Sequence, residues 1–388
     1  MIRALTILAL SFALPATAQV RQGPPNAPDY EPAFENQTRA IEIRKREAFR
    51  VEPIYEGLVH PWGLAILPDG GFLVTERIGR LSHISAEGEA TEISGLPEIA
   101  VIGQGGLLDV AAADDFATSR RVFLTYAAPA GREQATKAAT AVLAADNASL
   151  SDVEEIFVQS PAVSSGNHFG SRIVLDGDYA YVTIGDRGSP DLAQDMQATI
   201  GKVVRVTLDG RTPDDNPFVG DDTTLDEVWS AGHRNQQGAA LHPETGALWT
   251  LEHGPRGGDE LNLIEKGANY GWPVISYGIN YGGSPVKQGQ TSAPDMRQPQ
   301  YYWDPVIAPG DFTFYQGDLF EGWDGDVIAA SLNPGGLVRL QLDGDRVTAE
   351  ARYLRELGRV RDVDVDRDGA LLVLTDSPEG GLFRVLPR

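Results

Sequence analysis

The sequence predicts an all-β protein, a six-bladed β-propeller of four-stranded antiparallel blades. Three observations carry that expectation. A strand–turn–strand unit recurs six times, helical periodicity is almost absent, and a strand-like segment near the N-terminus is available to complete the last unit.

The recurring unit reads "PWGLAILPDGGFLVTER" from Pro61, "GGLLDVAAADDFATSRRVFLTYA" from Gly105 and "GSRIVLDGDYAYVTIGD" from Gly170. It returns as "GAALHPETGALWTLEHG" from Gly238, "GDFTFYQGDLFEGWDGDVIAASL" from Gly310 and "VRDVDVDRDGALLVLTD" from Val360. Each copy has an apolar-rich arm, a polar Asp/Gly turn and a second apolar-rich arm, the composition of a hairpin. Small sheets repeating at roughly 45 to 70 residues cannot bury both faces alone and pack radially. The segment "FRVEPIYEGL" at 49 to 58 is expected to add a strand to the last copy, closing the ring without free edges. A pair of packed sandwiches is the alternative that a hairpin period leaves open. Thr38 to Phe49 is the one stretch that reads as an amphipathic helical turn.

Three segments follow in order. Residues 1–18, "MIRALTILALSFALPATA", read as a signal peptide: one basic residue, an apolar run too short to span a bilayer, and a small-residue Ala16-Thr17-Ala18 ending. Residues 19–48 form a polar, proline-rich extension, and 49–388 the propeller. A periplasmic or secreted location follows from the leader. No membrane span is expected, and a monomer or a homodimer is equally compatible with the sequence.

The chain has no cysteine, which excludes disulfides, thiolate catalysis, cysteine-ligated metals and attached c-type haem. A formal net charge of −23 argues against nucleic acid as a partner and favours cations.

Propellers bind ligands at one end of the central channel, on loops leaving the innermost strands. The loop before the third copy is "SSGNHFGSR", with His168 between glycines, a candidate base or a structural loop histidine. "SAGHRNQQGAA" brings Arg234, Asn235 and Gln237 to the fourth copy, and "GRVRDV" brings Arg359 and Arg361 to the sixth. The period-2 spacing of the last two puts their guanidinium groups on one face. In an acidic chain, arginines at successive loop entries point to an anionic ligand or, alternatively, to surplus carboxylates on the surface.

Two other matches are discarded. Asp364, Asp366, Asp368 and Gly369 have EF-hand spacing, but Thr375 stands where a bidentate Glu belongs and the flanks are strands, so the run reads as a hairpin turn. "GQGG" at 103 to 106 lacks the Lys-Ser/Thr of a phosphate loop. In "LEHGPRGGDELNLIEKGANYGWP", 251 to 273, glycines surround Asp259 and Glu260, and the carbonyls of Gly254 and Pro255 with the Glu260 carboxylate suit a hard cation or a solvated turn.

Taken together, "HPWGLAILPDG", "GQGGLLDVA", "GNHFGSRIV", "IGDRG", "GHRNQQG", "EHGPRGGDELNLIEKGANYGWP", "GRVRDV" and "LLVLTD" closely resemble the soluble aldose sugar dehydrogenases of the glucose/sorbosone dehydrogenase family, in order from about Phe49 to the C-terminus. The resemblance implies pyrroloquinoline quinone (PQQ) as redox cofactor, calcium, oxidation of an aldose sugar at C1 to the lactone, and a diffusible electron acceptor. It makes His168 the general base, places Gln104, Asn167 and Arg187 at the sugar, and gives Arg234, Asn235, Arg359 and Arg361 to the cofactor. The Gly254 and Pro255 carbonyls match an active-site calcium, and Glu260 with the Tyr270 carbonyl a structural one. The chain departs from the pattern in three places: Asn333 stands where the family usually has Lys, Val306 where it has Ser or Thr, and Arg187 where glucose-specific members have Gln. A calcium-dependent lactonase and a cofactor-free binding propeller are the competing functions.

Overall fold

The computed structural model describes residues 18–44 and 47–388, so the leader expected at 1–18 lies, but for Ala18, outside the described residues. Six sheets follow one another around a ring. Blade 1 comprises Pro61–Ile66, Phe72–Glu76, Arg80–Ile84 and Ala90–Ile93, and blade 2 Leu107–Ala112, Arg121–Ala130, Glu133–Leu143 and Leu150–Val158. Blade 3 runs Gly170–Asp176, Tyr179–Ile184, Lys202–Thr207 and Val228–Ala231; blade 4 Gln236–Leu241, Leu248–Glu252, Asp259–Leu263 and Tyr301–Trp303. Blade 5 is Pro309–Phe314, Val327–Ser331, Leu337–Asp343 and Arg346–Tyr353. Blade 6 takes Val360–Val365, Leu371–Thr375 and Gly380–Pro387 from the C-terminus, and its outermost strand is Phe49–Leu58.

That outermost strand pairs antiparallel along the last one, from Phe49 opposite Pro387 to Leu58 opposite Gly380. The ring is thus closed by chain from both ends, as the sequence pattern predicts, and the first strand of each blade packs beside the first strand of the next. The Asp364–Gly369 run is the turn of a hairpin, with Val365 opposite Leu371.

The apolar faces meet between blades. Between blades 4 and 5, Trp249, Leu251, Leu261, Tyr301 and Trp303 pack on Phe312, Phe314, Val327 and Leu340, all buried. Burying such side chains contributes about 1.5–3 kcal/mol each. The strands read as nearly continuous apolar runs because both faces are covered.

The channel at the axis is plugged by charge. Arg172 is buried, with Nη1 2.7 Å from Asp109, 3.1 Å from Asp362 and 3.2 Å from Asp311, and its guanidinium lies 4.5 Å over the Trp62 ring. The carboxylates also stitch blades together: Asp109 accepts from the Ile173 N–H and Asp362 from the Leu64 N–H. Burial pushes the Asp109 carboxyl up to about 6, with Arg172 opposing.

Two features were not expected. The stretch read as a helical turn from Thr38 carries instead the strand Ile41–Glu42, which adds in parallel to the edge of blade 5, Ile41 opposite Ala349. Its β-branched Ile and the open edge of Arg346–Tyr353 favour pairing over a short helix with little to pack on. The extension before it is a strap across blades 4 and 5. The Asp304 carboxylate accepts from the backbone N–H groups of Asn26 and Ala27, at 2.9 and 2.8 Å, while Arg39 donates to the Asp304 carbonyl and Gln37 to the Pro299 carbonyl.

Candidate active site

Every blade sends a loop to one end of the channel, where they enclose a cleft of about 570 Å³, a size suited to a cofactor-like ligand. The entries to the inner strands supply His60 and Trp62, Gln104, His168, Arg234 and Asn235, Ala308, and Arg359 and Arg361. Loops joining later strands add Arg77, the turn from His253 to Asp259, Asn333 and Asp376.

His168 is fixed from several sides. Its backbone N–H donates to Gln104 Oε1 at 2.8 Å, and its Nδ1 lies 2.6 Å from Asp186 Oδ1. An ionised carboxylate only accepts, so the imidazole proton sits on Nδ1 and leaves Nε2 as an acceptor. Asp186 is itself buried and also accepts from the Gly188 N–H and from Trp272 Nε1, both at 2.8 Å. Burial raises its carboxyl, but the hydrogen bond and charge of His168 and the nearby Arg234 outweigh this and hold it below the usual range. The Gln104 and His168 loops touch through Gly103 (φ +56°), where a Cβ would fall 2.3 Å from the Gly166 carbonyl oxygen.

Of the residues expected at the sugar, Gln104 lines the cleft and Asn167 is exposed beside it. Arg187 is elsewhere. Its side chain is fully buried, stacked 3.6 Å over the Phe169 ring. Nε donates to the Asn167 carbonyl at 3.0 Å, Nη1 to Gln159 Oε1 at 2.8 Å and Nη2 to the Ser165 carbonyl at 2.5 Å. Residue 187 has φ +52°, and its buried guanidinium clamps the His168 loop instead of lining the cleft.

The arginines expected to hold an anion converge. Arg359 and Arg361 both donate to Asp376 Oδ2, at 2.9 and 2.7 Å, as their period-2 spacing predicts. Burial raises the Asp376 carboxyl, but Arg361, His60 and Arg359 hold it well below the usual range. Arg234 Nη1 donates to the His253 and Gly254 carbonyls at 2.9 and 2.6 Å. The Nε atoms of Arg234 and Arg361 are buried without a protein acceptor, which fits an anionic ligand with several oxygens. Asn235 is buried, its Oδ1 accepting from the Gly170 N–H at 3.1 Å.

The glycine-rich turn approaches itself: a Cβ on Gly254 would fall 2.1 Å from the Gly258 carbonyl oxygen. Asp259 shapes it, accepting from the backbone N–H groups of Gly254, Ile307 and Ala308 at 2.8, 2.8 and 2.7 Å. The Gly254 and Pro255 carbonyls line the cleft and suit calcium, given further oxygens from a bound ligand or water and release of Gly254 from Arg234. Glu260 and Tyr270 border a separate small void of about 10 Å³ together with Glu252. Burial, and then the charge of Glu252, push the Glu260 carboxyl well up, so this donor set suits a cation. Among the described residues no three acidic or histidine side chains form a cage by themselves.

Sequence reasoning missed Asp186, Asp376, Glu252 and His60. Glu252 carried a signal, being an acid closing the apolar run "LWTLE". Asp186 and Asp376 likewise end strand arms, in "YVTIGD" and "LLVLTD".

Fold and cleft together define a six-bladed propeller whose crossover loops build a basic, histidine-bearing ligand site. The chain belongs to the glucose/sorbosone dehydrogenase family, whose model matches residues 58–384, and is thus an oxidoreductase of the sugar-dehydrogenase type. The aldose sugar dehydrogenase YliI of Escherichia coli K12 is 43% identical over 348 residues, 87% of this chain and 93% of its own length. A solved structure of the soluble aldose sugar dehydrogenase from Escherichia coli in its apo-form superposes with a TM-score of 0.85 at 40% identity, covering 88% of this chain and 100% of that one. The PQQ-bound aldose sugar dehydrogenase of Streptomyces coelicolor gives 0.73 at 27%, covering 88% and 99%.

Proposed function

We propose that this chain oxidises aldose sugars at C1 to the lactone with PQQ and calcium, and passes electrons to a diffusible acceptor. The observation that carries this reading is the pairing of a carboxylate-held histidine with four arginines in one cleft of a chain whose net charge is −23. The PQQ-bound Streptomyces relative supports it.

PQQ, when bound, supplies the hydride acceptor, and calcium at the Gly254 and Pro255 carbonyls would polarise it as a Lewis acid. Arg234, Arg359 and Arg361 hold carboxylates of the ligand, since guanidinium matches them bidentately. His168 Nε2 takes the C1 hydroxyl proton as the C1 hydride departs, and Asp186 stabilises the imidazolium that forms. Gln104 fixes the backbone of His168 and borders the sugar. Glu252, Glu260 and the Tyr270 carbonyl hold a second, structural calcium. With no cysteine for haem attachment, electrons leave to an external acceptor. Export to the periplasm or the medium is part of the proposal, and a mature N-terminus at Gln19 would support it.

Reconstitution tests the reading. Apo protein given PQQ and calcium should gain aldose-dependent reduction of a diffusible dye, and nicotinamide cofactors should give none. Sugar binding by a protein that takes up no PQQ would favour the binding propeller, and lactone hydrolysis with calcium alone the lactonase.

A further inference from the structure

Two histidines of the cleft are built alike, and only one has been given work. His60, like His168, has φ +50° and sets Nδ1 on a buried carboxylate: Asp376 Oδ1 at 2.8 Å. Its backbone is held at both ends, the N–H donating to the Ser377 carbonyl at 2.8 Å and the carbonyl accepting from the Arg77 N–H at 3.0 Å. Among the described residues Nε2 has no protein partner, and the ring lines the cleft with 30% of the side chain exposed.

The position differs from that of His168. His60 enters blade 1 and shares Asp376 with Arg359 and Arg361, so it belongs to the anion-holding side. Asp376 offsets one of those two guanidiniums, and the uncharged Asn333 lines the same cleft. We infer that His60 is a further ligand-binding residue of this cleft, its imidazolium donating through Nε2 to a carboxylate of the bound cofactor.

This rests on the PQQ reading and adds to it a pH-dependent contact. Imidazole is the side chain that gains charge between pH 8 and pH 5. The charged groups facing His60 are Asp376 on Nδ1, Arg359 and Arg361 beyond it, Arg77 on the neighbouring turn, and Glu76, which accepts from the Val59 N–H. Also lining the cleft are the titratable groups of His168, of His253, whose pKa is driven well down by burial and by Arg361 and Arg234, and of Asp259, which burial pushes up to about 7.

The test is direct titration of apo protein with PQQ in calcium buffer at pH 6 and pH 8, read by protein fluorescence or calorimetry and not by turnover. Wild type should bind about tenfold more tightly at pH 6, the worth of a charge-assisted hydrogen bond. His60→Asn, chosen because Asn tolerates a left-handed backbone, should bind weakly at both pH values, and His60→Lys tightly at both. Melting temperatures of both variants near wild type exclude a folding defect; if they fall, the wild-type pH dependence alone decides, and a flat profile overturns the inference. A pH dependence retained in His60→Asn overturns it while PQQ binding stands. Wild type that binds no PQQ at either pH overturns the cofactor reading itself, and this inference with it.

Discussion

His168 Nδ1 and Asp186 Oδ1 lie 2.6 Å apart, and the carboxylate of that pair is anchored in turn by the indole of Trp272. The base is therefore oriented from behind, with Nε2 left for the substrate. His168→Gln keeps a polar side chain but removes the imidazole base. We predict that the turnover number falls by at least about 100-fold, the lower end for loss of a general base, while PQQ binding and the calcium-dependent melting shift persist. Near wild-type turnover would remove His168 from the mechanism.

Arg187 separates positioning from sugar contact. Lysine cannot reproduce a fork that reaches the Asn167 and Ser165 carbonyls and Gln159 while stacked on Phe169. The hypothesis that it clamps the His168 loop predicts that Arg187→Lys lowers kcat by about 10- to 100-fold, as expected for a displaced base, with KM for the sugar little changed. A raised KM at constant kcat would return Arg187 to the substrate.

Glu260 is the sharpest test of the metal. If Glu252 and Glu260 share a calcium, Glu260→Gln should shrink the rise in melting temperature that calcium causes. A ligand at 100 times its Kd contributes about 2.7 kcal/mol to the folded state. An equal calcium shift in variant and wild type would place the ion elsewhere.

Arg172 predicts a stability effect far from the chemistry. Arg172→Met leaves Asp109, Asp311 and Asp362 facing one another without their common cation. Breaking a buried ion pair from one side costs about 3–5 kcal/mol, which chemical denaturation would read. The loss should be smaller at pH 5 than at pH 8. The Asp109 carboxyl rests near 6 even with Arg172 present, so below that pH it is protonated and the repulsion is relieved. A loss independent of pH would count against the charge argument.

The fold was legible because each hairpin carries its own signal, an apolar arm, an Asp/Gly turn and a second apolar arm, and "FRVEPIYEGL" has the composition to complete the set. The strap was not, since its bonds run from Asn26 to Asp304 and from Ile41 to the edge of blade 5, pairs far apart in sequence. The same limit governs the site. Arg359 and Arg361 could be paired by period, whereas the tie from His60 to Asp376 spans 316 residues and exists only once the ring is closed. Arg187 shows a different limit, because a motif identifies the residue while its direction is set by partners, Phe169, Gln159 and the Ser165 carbonyl, that the motif does not contain.

That closure has a consequence for how the chain acquires its shape. The Arg388 N–H donates to the Ala48 carbonyl, and among the described residues Phe49–Leu58 pairs only with Gly380–Pro387. During synthesis the early strand must wait, unpaired, for nearly the whole polypeptide to emerge, and pairings of such sequence separation form slowly. Nascent or truncated chains therefore expose two complementary open edges that match each other across molecules as well as within one. A version cut in a surface turn and rejoined between 388 and 48 would make this clasp local, and should refold faster with less loss to aggregates.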